Sequence, residues 1–341
     1  MGNKKRLLLA VFLILAVIAA AGSGVLIALK QSGMDLLPAL TDGESGSRTG
    51  QYVPEMQTPV EDTTDWSSIT YQGEQWNRNR RLKTVLFLGI DKKAQVQSHS
   101  LIGTGGRADT VLLFVMDPDS RTTKILQISR DTILPVDVYN EDRELLYTGE
   151  MQINMQYAFG ESAARSCFLM KKKISELLYG VPVDSCCAVT IDGMVSIVDA
   201  LGGVPLTLEE DWTDIDPAYT AGASVTMDGR AVERFVRYRD TAEVGSNDVR
   251  MERQAWFFTK LLSILKKRGS AELIDLLDQA GDGVYTDMDA ETMKDFTKYS
   301  LGSDPVKLPG ETRRGELHDE YSLNEGALRE LILNTFYTKA E

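Results

Sequence analysis

The order of hydrophobic and polar positions divides the chain into an apolar run of membrane length, a polar stretch and a long α/β region. Leu7 to Leu29 carry no charge, with Lys4, Lys5 and Arg6 before them and Lys30 after. That length predicts a transmembrane helix over 7–29. The small residues from Ala19 to Gly22 would suit cleavage, but the apolar run continues through Val25 to Leu29, so an uncleaved anchor is expected. The basic excess before the span orients residues 1–6 to the cytoplasm and the remainder outside the cell membrane. Residues 30–79 are rich in Gly, Ser, Thr, Asp, Glu and Gln without an apolar period and read as an extracytoplasmic tether.

From Thr84 the pattern becomes that of alternating strands and helices. Thr84–Ile90, Asp109–Met116 and Thr123–Ile128 read as strands, with a loop over 92–106 and a turn over 117–121. Helical spacing covers Glu161–Tyr179 and stops at Gly180. Ser185–Ile191 and Val204–Leu208 are further strands, and Asp192 is placed to cap a helix running to Leu201. Short and long helices follow over Asp228–Arg237 and Val249–Lys267, the latter with Trp256, Phe257, Leu261 and Leu265 on its apolar side. Two more helices are expected over Asp289–Tyr299 and Ser322–Phe336. The whole predicts one α/β domain over 80–341, a mixed central sheet covered by helices.

Charge narrows the function. The net charge of −13 becomes −17 once the four cations of the first 34 residues are set aside. Nucleic-acid phosphates repel such a body, so a DNA-binding role is not expected. Cys167, Cys186 and Cys187 are too few and too irregularly spaced for a disulfide framework or a zinc site, and they read as small buried hydrophobes. In a strand, neighbours Cys186 and Cys187 point to opposite faces. Two histidines and no Walker-type loop leave histidine-based and nucleotide chemistry without support.

The polar residues at strand ends carry the chemistry. Asp91 ends the first strand and Arg107 and Asp109 begin the second, so antiparallel pairing brings both carboxylates to one sheet end. A two-residue turn at Asp119-Ser120 pairs positions summing to 239, which sets Arg130 opposite Asp109. Arg237, Arg239 and Asp240 lie where the short helix gives way to a loop. Arg250, Arg253 and Gln254 fall near the start of the long helix, where arginines oppose the helix dipole unless an anion is present. Carboxylates together with planar bidentate donors suit a magnesium-bound pyrophosphate.

The stretches V-L-F-L-G-I-D (85–91), R-A-D-T (107–110), S-R-D-T (129–132), I-N-M-Q-Y-A-F-G (153–160), V-D-A-L-G-G-V (198–204), V-R-Y-R-D (236–240) and R-M-E-R-Q (250–254) resemble, in order, the motifs of the LytR-CpsA-Psr family of cell-envelope proteins. The resemblance implies an α/β domain with a hydrophobic lipid tunnel, expected between the helices at 161–179 and 249–267, which carry Phe168, Leu169, Leu177, Phe257 and Leu261. It implies a phosphotransferase that moves a glycopolymer, such as teichoic acid or capsule, from a polyprenyl-pyrophosphate carrier to a peptidoglycan sugar hydroxyl, with Mg²⁺ as cofactor. A hydrolase of the same lipid and a non-catalytic envelope regulator of the transcriptional-attenuator type are the alternatives. By motif match, Asp91 and Asp109 would serve the metal, and Asp91, Asp109 and Arg130 the catalysis, with Asp240 a rival proton acceptor. Arg107, Arg130, Arg237, Arg239, Arg250 and Gln254 would hold the pyrophosphate. The family's Lys-x-Asn-His stands here as Gln152, Ile153, Asn154 and Met155, which leaves Asn154 a structural part.

Overall fold

The computed structural model describes residues 67–92, 102–140, 142–240, 242–265 and 281–340, apart from 290, 293, 294, 296 and 297. The expected membrane span, and the tether as far as residue 66, lie outside these residues. So does most of the loop after Asp91. Among the described residues no helix is long and apolar enough to cross a membrane.

Strands β1 (Ser68–Tyr71) and β2 (Glu74–Arg78) precede β3 (Lys83–Ile90), β4 (Ala108–Asp117), β5 (Thr122–Ile128), β6 (Ile133–Tyr139) and β7 (Leu145–Gln152). A 3₁₀ segment, Ile153–Phe159, leads to α1 (Ala163–Leu177), β8 (Ser185–Thr190), α2 (Ile191–Ala200), β9 (Val204–Thr207) and β10 (Ser224–Met227). Then come α3 (Gly229–Arg237), α4 (Ser246–Leu265), β11 (Val284–Thr286), β12 (Ser300–Leu301), β13 (Val306–Lys307), β14 (Gly310–Arg314), β15 (Asp319–Leu323), α5 (Glu325–Phe336) and β16 (Tyr337–Lys339). The central sheet runs β11-β8-β3-β4-β5-β12, with β13 also on β5. It is mixed: β4 is antiparallel to β3 and β5, while β8 runs parallel to β3.

The central strands bury nearly every residue, which requires layers on both faces. Alternation assigns the faces. Val85, Phe87, Leu112 and Phe114 meet α2, α3 and α4. Leu86, Leu88, Val111 and Leu113 meet α1, α5 and the 3₁₀ segment. Cys187 joins the first core and Cys186 the second, and all three cysteines are free and buried.

Several expectations need correction. The expected tether ends before residue 68, because Ser68–Arg78 form a hairpin whose second strand pairs with β16. Asp192 does not cap α2; the Thr190 hydroxyl accepts from Gly193 N instead, and Asp192 sits in the first turn. The long helix begins at Ser246 rather than Val249, so Arg250 and Arg253 lie beyond its first turn. The last helix starts at Glu325, capped by Asn324, because Ser322 and Leu323 finish β15. The helix expected at 289–299, and the side chain of Leu265, lie wholly or partly outside the described residues.

The tunnel cannot run between α1 and α4. Leu177 of α1 packs on one face of the sheet, whereas Phe257 and Leu261 of α4 pack on the other. Leu169 of α1 is also buried, but Phe168 faces solvent, about half exposed. Periodicity shows that each helix has an apolar side; it does not say which sheet face that side covers.

Candidate functional site

The register places the site. Asp117 pairs with Thr122 and Val111 with Ile128, all summing to 239 as the turn required. Beyond the last pair the strands diverge, yet Arg130 Nη1 still reaches Asp109 Oδ2 at 2.5 Å. At the other edge of β4, Asp91 N donates to the Arg107 carbonyl, and Arg107 N donates to Asp91 Oδ1 at 2.6 Å. The Arg107 Nε lies 3.7 Å from Asp91 Oδ2. Gly106, at φ +85°, makes this fold-back possible: a Cβ there would stand 2.9 Å from Ile90 Cγ2 and 3.1 Å from Asp91 Oδ1.

Asp109 is held from three sides. Asn154 Nδ2 donates to its Oδ1 at 3.0 Å, Arg130 takes its Oδ2, and Arg250 Nη2 donates to its carbonyl at 3.4 Å. Asn154 thus helps to orient the Asp109 carboxylate. Arg130 also lies 3.3 Å from Asp131 Oδ1, so two carboxylates share it. Burial lowers the Arg130 pKa, but Asp109 and Asp131 outweigh that and leave it raised. Asp131, which the sequence did not single out, is pushed up by burial, against the pull of Arg130 and Arg250. Gln152 Nε2 bridges Asp131 Oδ1 at 2.8 Å and the Asp319 carbonyl at 3.1 Å.

Arg250 and Arg239 bury guanidinium N–H groups that no carboxylate takes up. Arg250 is 1% exposed; its Nη2 donates to Asn247 Oδ1 at 2.6 Å and to the Asp109 carbonyl, and its Nε is buried without a partner. Burial, then Arg130, pull its pKa down to about 9, which still leaves it cationic at neutral pH. Arg239 buries Nε and Nη1 with no hydrogen-bond partner, and its pKa is lowered by burial and by Arg130. Unsatisfied buried donors cost stability, and an oxyanion in their midst would satisfy them.

The other predicted residues divide. Gln254 joins the cluster, its Nε2 on the Val236 carbonyl at 3.0 Å and its Oε1 3.4 Å from Thr110 Oγ1. Arg237 pairs with Glu233 at 2.5 Å along α3. Asp240 is exposed and accepts from Ala242 N in a local turn. Arg253 donates to the Phe235 carbonyl at 2.7 Å and to the Tyr238 carbonyl, so it ties α4 to the segment that carries Arg239.

Among the described residues no three His, Cys, Asp or Glu side chains are placed together to hold a metal ion. Asp91 and Asp109 are the two buried carboxylates that flank the start of β4, their side chains 1% and 0% exposed, and each keeps an Oδ2 without a hydrogen-bond donor. A pair of that kind fits Mg²⁺ in the way this ion is usually bound, through one or two carboxylates completed by substrate phosphates and water.

The model of the LytR_cpsA_psr family matches residues 49–330. The polyisoprenyl-teichoic acid–peptidoglycan teichoic acid transferase TagU of Oceanobacillus iheyensis is 22% identical over 251 residues, 73% of this chain and 72% of that protein. The crystal structure of B. subtilis TagU is similar in fold, with a TM-score of 0.54 and 20% identity over 75% of this chain and 95% of the other. TagT bound to LIIa-WTA gives a TM-score of 0.56 and 21% identity over 75% and 90% of the two chains.

Proposed function

The chain belongs to the LytR-CpsA-Psr family, and from that premise and the site we propose that it transfers a glycopolymer from a polyprenyl-pyrophosphate carrier to peptidoglycan. The observation that carries the reading is the pair Arg239 and Arg250, half-buried and buried beside Arg130, each with buried guanidinium donors left over. Pyrophosphate supplies the oxygens that such donors lack. The teichoic acid transferase named among the relatives supports the same reaction class.

In the proposed reaction a peptidoglycan sugar hydroxyl attacks the phosphorus that bears the glycan. An O–P bond forms, the bond to the bridging oxygen breaks, and polyprenyl phosphate leaves with that bond's electron pair. Arg239, Arg250 and Gln254 hold the pyrophosphate, and Arg107 reaches it from beside Asp91. Arg130 sets Asp109 in place and adds its charge to the field that stabilises the transition state. The hydroxyl proton passes to Asp91, whose partner Arg107 is itself partly exposed; Asp109 is pinned between Arg130 and Asn154. Mg²⁺, held by Asp91 and Asp109, would supply further neutralisation of phosphate charge.

The polyprenyl chain is proposed to run between the sheet and α4. A recess lined by Thr110, Leu112, Ile125, Gln127, Gln254, Ala255 and Pro305 opens there beside the phosphate residues. Its volume of ≈ 10 Å³ holds about one water, so α4 has to move off the sheet to admit a lipid. Anchoring by residues 7–29, with the domain outside the cell membrane, completes the proposal and puts lipid and peptidoglycan within reach.

The test is transfer by the full chain from a polyprenyl-pyrophosphate glycan to peptidoglycan oligomers. Covalent glycan phosphate on the acceptor, with release of polyprenyl phosphate, is expected. Release of free glycan phosphate, with the acceptor unlabelled, would make the protein a hydrolase instead. Protease digestion of intact protoplasts, removing the domain and sparing the anchor, tests the orientation.

A further inference from the structure

Arg250 is among the largest fully buried side chains of the described residues, and its hydrogen-bond acceptors are both uncharged: the Asn247 amide oxygen at 2.6 Å and the Asp109 carbonyl. Asn247 is itself 1% exposed and donates through Nδ2 to Ser129 Oγ at 3.2 Å, next to Arg130 in the chain. It thus joins the start of α4 to the end of β5 and fixes where the Arg250 fork points. An aspartate fits the same space and is the more usual partner for a buried arginine. At position 247 it would cancel a charge.

The contrast with the neighbouring arginines is plain. Arg130 is shared by Asp109 and Asp131, Arg107 lies on Asp91, and Arg237 lies on Glu233. Arg250, oriented as firmly as any of them, has been given a neutral holder. We propose that Asn247 is a positioning residue for the phosphate clamp, aiming Arg250 without adding a carboxylate to its fork, so that the guanidinium stays available to the pyrophosphate. The inference rests on the proposed function, and it adds a residue that neither the motifs nor the comparisons assign.

Two variants of the full chain test it, Asn247→Asp and Asn247→Ala, each measured for ligand-free melting temperature and for affinity for inorganic pyrophosphate. Asn247→Asp pairs with Arg250, keeps an acceptor for the Ser129 hydroxyl, and should melt no lower than the parent. Its affinity should nevertheless fall roughly tenfold or more, the scale of one charge-assisted hydrogen bond. Asn247→Ala should melt lower and lose less affinity than the aspartate variant. An Asn247→Asp protein that melts as low as the alanine variant overturns the proposal without any ligand, because the position then tolerates no charge. Parent-like affinity in a stable Asn247→Asp protein overturns it as well. Arg250→Lys is the control for the function itself: if it loses pyrophosphate and Asn247→Asp does not, only the positioning role fails.

Discussion

Arg130 and Asp109 form the innermost ion pair of the site, with Nη1 and Oδ2 2.5 Å apart and side chains 7% and 0% exposed. By motif match Asp109 would serve a metal, a role that by itself puts no demand on the stability of the fold. Its burial says otherwise. Removing one partner of a buried pair leaves the other charge without compensation, which costs about 3–5 kcal/mol. Asp109→Ala should therefore lower the urea midpoint by that equivalent, and Arg130→Met combined with Asp109→Leu should recover much of it. Single and double variants of equal stability to the parent would show that the pair contributes nothing to folding.

Gly106 controls the other carboxylate. Alanine there meets a backbone at φ +85° and a Cβ position 3.1 Å from Asp91 Oδ1. The left-handed backbone costs an L-residue roughly 1–2 kcal/mol, and the crowding falls on Asp91 itself. Gly106→Ala should then lose transfer activity by more than its fall in melting temperature explains. Gly103, at φ +86° with open space around it, is the control: its alanine variant should show the stability loss alone.

How much of this was readable in advance depends on the kind of information each feature needs. The β4–β5 register followed from turn geometry, so the meeting of Asp109 and Arg130 was legible without a structure. The starts of α4 and β1 were not. Ser246, Asn247 and Asp248 look like loop residues until the helix is seen to extend over them, and the β1–β2 hairpin is completed by β16, which pairs with β2 from more than 250 residues away. The β14–β15 hairpin was not legible either, because β14 carries mostly exposed polar residues and the short β15 offers only Tyr321 and Leu323 as an apolar alternation. Asp131 stood beside a chosen arginine, yet nothing in its spacing said that it would turn inward to Gln152.

Asp131 gives the site a pH signature. Burial raises its folded pKa above the usual value of 3.8. Between those two values the folded state holds more protons than the unfolded one, so this group's contribution to stability falls as pH rises through the window. Asp131→Asn removes that component. The difference in melting temperature, variant minus parent, should move in the variant's favour from pH 4 upward and level off once the parent's carboxyl is fully ionised. A difference that moves the opposite way would mean that Arg130 stabilises the ionised form more than burial opposes it.

Two arginines that look alike in the sequence have different surroundings in the fold. Arg237 and Arg239 stand two residues apart, and either could clasp a phosphate. In the fold, Arg237 lies along α3 with its Nη1 2.5 Å from Glu233 Oε1, whereas Arg239 turns inward with Nε and Nη1 buried and unpaired. A guanidinium offers two parallel donors to a phosphate, which an ammonium cannot reproduce. Arg239→Lys should accordingly reduce transfer by about a hundredfold, as deletion of one oxyanion donor does. Its ligand-free melting temperature should hold or rise, since two unsatisfied buried donors disappear. Arg237→Lys keeps an ion pair with Glu233 and should cost far less activity. Steady-state transfer rates and melting curves for both variants, with and without a polyprenyl pyrophosphate, check the ranking. Equal losses at the two positions, or an Arg239→Lys protein that transfers glycan at the parent rate, would remove Arg239 from the clamp.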